Sequence, residues 1–134
     1  MNEEKNGQVV QQMYAAFGRS DIPALLNGFA DDVDWWVAGP ADIPICGSRH
    51  GLEQVAQFFK ALDETLDTQQ FKPQEFFAQG EVVVVLGHER HRVKSTGRIH
   101  EGDWVQVFTL REGKVVRYRE YLDTAALVAA FRGV

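Results

Sequence analysis

The stretch Glu81–Leu122, EVVVVLGHERHRVKSTGRIHEGDWVQVFTLREGKVVRYREYL, decides the fold of this chain. It contains three runs rich in β-branched and aromatic residues, and a short polar segment with a glycine separates each run from the next. Short connections of this kind predict an antiparallel meander. The predicted strands are Glu81–Val93, Arg98–Leu110 and Lys114–Leu122, and the predicted turns are Ser95–Gly97 and Arg111–Gly113.

The residues on both sides of the meander predict helices and two further strands. Apolar residues recur at helical spacing in three segments before the meander, and an alternating pattern marks the strands. Helices gathered on one face of an antiparallel sheet indicate an α+β domain, and the length predicts a single domain over residues 1–134. The predicted elements are a first helix over Val9–Phe17, a second helix capped by Ser20, a strand over Val33–Val37, a loop over Gly39–Gly51, a third helix over Leu52–Leu62, a strand over Phe71–Ala78 and a closing helix capped by Asp123.

Composition excludes several classes of protein. The 14 basic and 19 acidic residues give a net charge of −5, whereas nucleic-acid binding needs a basic stripe. The longest purely apolar run, Val82–Leu86, is far shorter than a membrane span. Met1–Lys5 has no apolar signal region, so we expect a cytoplasmic protein. One cysteine, Cys46, excludes an internal disulfide and a multi-cysteine metal cluster.

Three-residue turns that end at Gly97 and Gly113 predict the strand register. They place His88, Trp104 and Glu120 in one row on one face of the sheet. The next row on that face contains Leu86, Gln106 and Tyr118, and we expect the helices to cover it. A two-residue turn at Glu112–Gly113 would shift the pairing by one residue and flip the last strand.

The opposite face of the predicted sheet is rich in valine and has an arginine rim. Its rows contain Val83, Val85, Val105, Val107, Val115, Arg117 and Arg119. An apolar sheet face without a helical cover indicates a partner surface. We therefore expect a homodimer that forms through the valine-rich face.

Glu120 is the first candidate for catalysis. An acidic side chain between Trp104, Tyr118 and Leu122 would be desolvated, and desolvation raises the pKa of a carboxyl group into the range of a general acid or base. The alternative is a buried acid that pairs with Arg90 or His88 and serves the structure only.

Other polar residues on the predicted inner face are candidates for the same site. His88 could act on the same ligand as Glu120, or it could be a core histidine with satisfied hydrogen bonds. Tyr14 on the first helix could direct its hydroxyl into the cavity. Gln106 and Tyr118 could bind a ligand carbonyl, or they could satisfy each other.

The aromatic residues favour a flat apolar or aromatic ligand. Trp35, Phe59 and Trp104 are the predicted ligand contacts, and alternation allows only one of Trp35 and Trp36 to line the cavity. Cys46 and His50 are too few for a zinc site. The segment His88–His91 resembles a zinc motif only superficially, because on a strand its two histidines face opposite sides.

Four segments resemble the nuclear transport factor 2-like superfamily, in its SnoaL-like, ketosteroid isomerase-related branch. They are Arg19–Ile22, Phe29–Trp35, Glu112–Val116 and Arg119–Asp123. The resemblance implies a cone-shaped barrel of a curved mixed or antiparallel sheet, with three N-terminal helices over the concave face, a deep pocket and a homodimer. The superfamily hosts isomerases, cyclases, hydrolases, dehydratases and non-catalytic modules, so the fold alone does not give the function.

The resemblance carries over few catalytic residues. The base, tyrosine and oxyanion acid of ketosteroid isomerases fall on Val37, Met13 (next to Tyr14) and Gln106, so none is retained. The acid/base aspartate of SnoaL-like cyclases matches Asp123, which is also an ordinary helix N-cap.

Two functions follow as hypotheses. The first is an isomerase or cyclase that moves a proton with Glu120 or Asp123 on an apolar carbonyl compound and stabilises the oxyanion with Tyr14, Gln106 or His88. This chemistry requires no metal and no organic cofactor. The second is a ligand-binding or dimerisation module without chemistry.

Overall fold

The computed structural model describes residues 3–134 as a curved, unclosed six-stranded sheet with four helices. The strand order is β2-β1-β6-β5-β4-β3. The β1–β6 pair is parallel and every other pair is antiparallel, so the sheet is mixed and the α+β prediction is confirmed. The helices are α1 (Glu3–Gly18), α2 (Ile22–Leu26), α3 (Gly51–Thr65) and α4 (Thr124–Arg132). The strands are β1 (Phe29–Val37), β2 (Gly47–His50), β3 (Leu66–Gln79), β4 (Val82–Val93), β5 (Ile99–Arg111) and β6 (Lys114–Leu122).

The hydrophobic core lies between the concave face of the sheet and the helices that cover it. Helix α1 buries Val10, Met13 and Ala16, which recur at the spacing of one helical face. Helix α3 buries Val55 and Phe58. Burial alternates strictly along β4, as expected for a strand with one face in the core.

Three local features differ from the sequence-based expectations. Asp21, and not Ser20, caps α2: its carboxylate accepts a hydrogen bond from Ala24 N at 3.2 Å, while Ser20 has a left-handed φ of 59°. The predicted loop Gly39–Gly51 contains β2, which pairs with β1. Strand β3 begins at Leu66, because its first residues pair with the far end of β4.

The predicted register between β4 and β5 is wrong by one residue. Val93 N donates to Arg98 O at 2.8 Å, so the connecting loop has four residues, and Trp104 pairs with Gly87. A slip of one residue moves every side chain of a strand to the other face. His88 therefore lies on the convex face opposite Asp103, and the predicted row of His88, Trp104 and Glu120 does not form. By the same slip Val83 and Val85, predicted on the valine-rich outer face, are fully buried in the core, and Leu86, predicted under the helices, lies on the convex face.

The predicted register between β5 and β6 is wrong by two residues, which preserves the faces. The turn has two residues, because Arg111 pairs with Lys114, and a bulge follows between Thr109 and Leu110. Each feature shifts the pairing by one. Glu120 therefore pairs with Gln106 and remains on the concave face.

None of the helices within residues 3–134 is long and apolar enough to span a bilayer.

Candidate functional site

An inner cavity of about 80 Å³ lies between the concave face of the sheet and helices α1, α2 and α3. Most of its lining is apolar or aromatic, and only a few polar side chains reach it. An apolar pocket with a few convergent polar groups is the usual form of a small-molecule site. The polar or ionisable lining residues are Tyr14, Glu89, His91, Gln106, Tyr118 and Glu120, and the aromatic ones include Phe17, Trp35, Phe58, Phe59, Phe71 and Phe108.

Glu120 is held by two hydrogen bonds to one of its carboxylate oxygens. The Tyr118 hydroxyl donates to Oε1 at 2.5 Å, and Gln106 Nε2 donates to the same atom at 2.9 Å. The Tyr14 hydroxyl donates to Gln106 Oε1 at 2.5 Å and so extends the network to α1. Glu120 Oε2 has no hydrogen-bond partner among residues 3–134. The second oxygen is therefore available to a molecule in the inner cavity.

The ionisation of Glu120 is shifted towards neutral pH. Burial raises the pKa of Glu120 to about 7, and the negative charge of Glu89 adds to this effect. The hydrogen bonds from Tyr118 and Gln106 favour the carboxylate and oppose part of the rise. Both protonation states are therefore populated near neutral pH, as general acid–base catalysis requires.

The two tyrosines of the network remain protonated. Burial and the charge of Glu120 raise the pKa of Tyr14 and of Tyr118 far above the ordinary value. Their hydroxyls are therefore hydrogen-bond donors throughout the physiological pH range.

A second polar cluster consists of Glu89, His91 and His100. Glu89 Oε1 lies 2.9 Å from His91 Nε2, and Glu89 Oε2 lies 3.3 Å from His100 Nε2. All three residues are buried, and Glu89 and His91 line the inner cavity. Burial opposes the ionisation of Glu89, but the two imidazoles outweigh burial and hold the pKa of this carboxyl below its ordinary value.

The structure places two of the predicted catalytic residues outside the inner cavity. His88 lies on the convex face between two carboxylates, 2.8 Å from Asp103 and 2.9 Å from Glu101. The hydrogen bonds that the imidazole donates to Glu101 and Asp103 raise the pKa of His88. Asp123 is exposed and caps α4, where its carboxylate accepts a hydrogen bond from Ala126 N at 3.0 Å.

The other predicted catalytic and ligand-contact residues lie at or near the inner cavity. Glu120, Tyr14, Gln106, Tyr118, Trp35 and Phe59 line it. Trp104 lies behind the lining, where it stacks on Phe71 with ring centroids 4.9 Å apart. Trp35 faces inward and stacks on Tyr118, whereas Trp36 contacts Tyr121 on the convex face.

Cys46 carries no sign of nucleophilic chemistry. Its side chain is buried beneath Gly39, where an added Cβ would lie 2.5 Å from the sulfur. Burial raises the pKa of the Cys46 thiol to about 11, so the thiolate is scarce at neutral pH. His50 is exposed on β2.

Sequence reasoning missed Glu89, His91 and His100. The available signal was the alternation of His88–His91, which places the two histidines on opposite faces of the sheet and leaves open which of them faces inward. The register decided that question, and the register depended on the length of one loop. His100 gives no signal of its own in the sequence.

Comparison with known proteins assigns the fold to a family. The SnoaL-like domain family matches residues 10–118. No curated protein matches the chain. A structure of an NTF2-like protein from Burkholderia xenovorans LB400 is 40% identical over 98% of both chains, with a TM-score of 0.89.

Two further solved structures are similar over almost their whole length. An NTF2-like protein of unknown function from Burkholderia pseudomallei K96243 is 30% identical over 98% of both chains, with a TM-score of 0.85. TerC, co-crystallised with polyporic acid, is 27% identical over 96% of this chain and 98% of its own, with a TM-score of 0.83.

Proposed function

The chain belongs to the SnoaL-like domain family, and we propose that it is an enzyme of the isomerase or cyclase type that transfers a proton on a small apolar carbonyl compound. One observation carries this proposal. Glu120 is a buried carboxyl group with a pKa of about 7, and it lines a largely apolar and aromatic cavity. A perturbed carboxyl group in such a pocket is typical of a general acid or base.

Glu120 performs the proton transfer in this proposal. Its ionised form takes a proton from a carbon next to the substrate carbonyl, and its protonated form returns the proton to another atom of the same molecule. Glu120 Oε1 is fixed by Tyr118 and Gln106, so Oε2 makes the transfer. The reaction conserves the proton and needs no further reactant.

Tyr14, Tyr118 and Gln106 supply the donors for the oxygen of the substrate. As negative charge develops on that oxygen, a nearby hydroxyl or amide donor stabilises it, and the effect is large where water is excluded. The tyrosine hydroxyls can rotate from their present acceptors towards a ligand. His88 and Asp123 lie outside the inner cavity, and this mechanism assigns them no role.

The lining favours an apolar or aromatic ligand. The ring of Trp35 and the rings of Phe58 and Phe59 form one wall, with centroid separations of 4.8 Å and 5.8 Å from Trp35. The co-crystallisation of the related TerC with polyporic acid supports a small organic ligand in this fold.

A non-catalytic ligand-binding module is the second candidate. The observation in its favour is that Tyr14, Gln106, Tyr118 and Glu120 already satisfy one another without a ligand. Such a network also serves to order a core. The two candidates agree on binding and differ on proton transfer.

The first test is a titration of Glu120 by NMR of ¹³C-labelled glutamate carboxyls, with Glu120→Gln to assign the signal. We expect a midpoint near 7. The same protein is then incubated in D₂O with a panel of aromatic and cyclic ketones, and deuterium uptake beside the carbonyl is followed. Loss of the general base lowers such a rate by roughly 10²–10⁴-fold.

The matched control for the exchange assay is Glu75→Gln, which changes an exposed glutamate on β3. We expect this variant to keep the wild-type rate. A Glu120 midpoint near that of a free glutamate, about 4.3, would contradict the proposal. Equal exchange by the wild type and Glu120→Gln would favour the binding module.

We also propose that two copies pair through the convex face of the sheet. Val84 and Leu86 on β4 and Val105 and Val107 on β5 lie on this face with Tyr121, and none of them is fully buried. Phe77 and Tyr121 are 53% and 47% exposed. An apolar sheet face of this kind supports a partner surface.

A further inference from the structure

We propose that Thr68, His91 and Glu89 form a proton relay between the protein surface and the inner cavity. The surface end opens on an outer groove of about 1060 Å³ between α1, α3 and β3. The groove is lined by residues that include Ala15, Ala56, Lys60, Thr68, Pro73 and Lys94. This inference rests on the proposed role of Glu120, because the relay would supply and remove the proton that Glu120 handles.

The three residues form an unbroken chain of hydrogen bonds. Thr68 lies on the edge strand β3 directly opposite His91, and Thr68 Oγ1 is 2.9 Å from His91 Nδ1. His91 Nε2 is in turn 2.9 Å from Glu89 Oε1. Thr68 is exposed and lines the outer groove, whereas His91 and Glu89 are buried and line the inner cavity. The chain therefore crosses the wall between the two spaces.

The rest of that wall is mostly aromatic. Tyr14, Phe17, Phe59, Leu62 and Phe71 line both the outer groove and the inner cavity. The rings of Phe17 and Phe71 pack edge to face with centroids 5.1 Å apart. Packed rings carry no proton, and the Tyr14 hydroxyl among them donates to Gln106. The chain from Thr68 through His91 is the polar path through the wall that reaches Glu89.

The imidazole of His91 suits this task because both nitrogens are engaged. In the tautomer with a proton on Nε2, His91 donates to Glu89 and accepts from the Thr68 hydroxyl. A proton enters when Thr68 gives its hydrogen to Nδ1 and takes one from a hydronium ion in the outer groove, and the Nε2 proton then passes to Glu89 Oε1. The first tautomer is restored when a proton leaves: Glu89 returns it to Nε2, Nδ1 gives its proton to Thr68, and Thr68 releases its own to water.

The last step crosses the inner cavity from Glu89 to Glu120. One water needs about 10–15 Å³ of such space, and the cavity offers about 80 Å³. Glu89 and Glu120 also interact electrostatically, because the charge of Glu89 contributes to the raised pKa of Glu120. A short chain of waters, or the substrate itself, can complete the path.

A buried ionic cluster is weak evidence for a purely stabilising role. A carboxylate with two imidazoles in a core costs desolvation energy, and an apolar replacement of similar volume is often neutral or stabilising. His100 Nε2 lies 3.3 Å from Glu89 Oε2, and neither ring nitrogen of His100 makes a hydrogen bond within residues 3–134. We assign His100 the role of a positioning residue that holds Glu89.

The described residues contain no group with the geometry of a metal site.

The test measures how fast Glu120 exchanges its proton and needs no substrate. The ¹³C carboxyl signal of Glu120 is recorded at its titration midpoint, and the exchange rate is taken from relaxation dispersion. Thr68→Val keeps the shape of the side chain and removes the hydroxyl. We expect it to lower the exchange rate by roughly 10²-fold, the lower end of what a positioned proton donor contributes, and to leave the midpoint unchanged.

Two further variants separate a relay from a structural role. Thr68→Ser retains a hydroxyl and should restore the wild-type rate. Thr109→Val removes a hydroxyl from β5, whose Thr109 pairs with Val82 on the convex side, and should have no effect. An unchanged rate in Thr68→Val, or an equal fall in Thr109→Val, would overturn the relay. A shifted midpoint at constant rate would also overturn it.

The outcomes for the relay and for the proposed function are distinguishable. If the Glu120 midpoint is near 7 and its proton-exchange rate is the same in the wild type and in Thr68→Val, the relay is refuted and the proposed function stands. An ordinary acidic midpoint, with exchange that still depends on the Thr68 hydroxyl, would refute the function and keep the relay.

Discussion

At the scale of single residues, Glu120 makes the stability of the protein depend on pH. The pKa of Glu120 is about 7 in the folded protein and 4.5 for an unperturbed glutamate. Between these values the folded state holds a proton that the unfolded chain has released, so the free energy of unfolding falls as pH rises. The difference between the two pKa values corresponds to about 3 kcal/mol of stability. This stability is fully lost above the pKa of the folded state.

We therefore expect the free energy of unfolding of Glu120→Gln, taken relative to that of the wild type, to increase by up to about 3 kcal/mol as the pH is raised from about 4.5 to about 8. Urea unfolding at both pH values measures the difference. The raised pKa of His88 also makes stability fall with rising pH, but this contribution is common to both proteins and cancels. A difference between the two proteins that does not change with pH would show that Glu120 is ionised throughout.

The part of the site near Glu120 was predictable because the error in the register of β6 was two residues, which leaves each side chain on the predicted face of the sheet. The sequence placed a desolvated carboxyl between Trp104, Tyr118 and Leu122, and Glu120 is buried with Tyr118 as a hydrogen-bond partner. The alternative of an ion pair with Arg90 or His88 is wrong, because both residues bond to Glu101 on the convex side.

At the scale of elements, the turn between β5 and β6 stores backbone strain. Its two central residues, Glu112 and Gly113, have φ values of 53° and 78°. A two-residue hairpin with positive φ at both positions favours Asn or Gly at the first of them. Glutamate has a Cβ that crowds the backbone in this left-handed conformation.

Replacement of Glu112 by asparagine should therefore stabilise the protein by about 0.5–1 kcal/mol. Thermal or urea unfolding measures the gain. Glu112→Gln is the matched control, because it removes the same charge and keeps the strained backbone, and we expect it to leave stability unchanged. Equal gains in both variants would assign the effect to charge and not to conformation.

Loop length explains why the second polar cluster could not be predicted. A four-residue loop after Val93 replaced the expected three-residue loop and moved β4 by one position relative to β5. Because of that slip, His88 lies on the convex face instead of the concave face, and Glu89 and His91 lie on the concave face. At the other hairpin, a shorter turn and a bulge each shifted the register by one, and the two shifts together kept Glu120 inside.

At the scale of the whole molecule, the curved sheet separates two surfaces for which we propose different roles. Its concave face carries the inner cavity, and its convex face carries valines, leucine and aromatic rings outside the helical cover. Stable homodimers bury about 800 Å² per partner or more, and a face of three long strands offers room for such an interface. The proposed proton transfer and the proposed assembly therefore use opposite sides of the same strands.

Val107 lies on the convex face and pairs with Val84 and Arg119, so a charge at this position would be buried in the proposed dimer. An unpaired buried charge weakens an interface strongly. We expect sedimentation of the wild type at micromolar concentration to give about twice the chain mass of 15.1 kDa, and Val107→Lys to give the mass of one chain with an unchanged circular dichroism spectrum. Gln11→Lys adds the same charge at an exposed position of α1 and should remain dimeric. A monomeric wild type would refute the dimer and leave the concave site untouched, because every residue of the Glu120 network belongs to one chain.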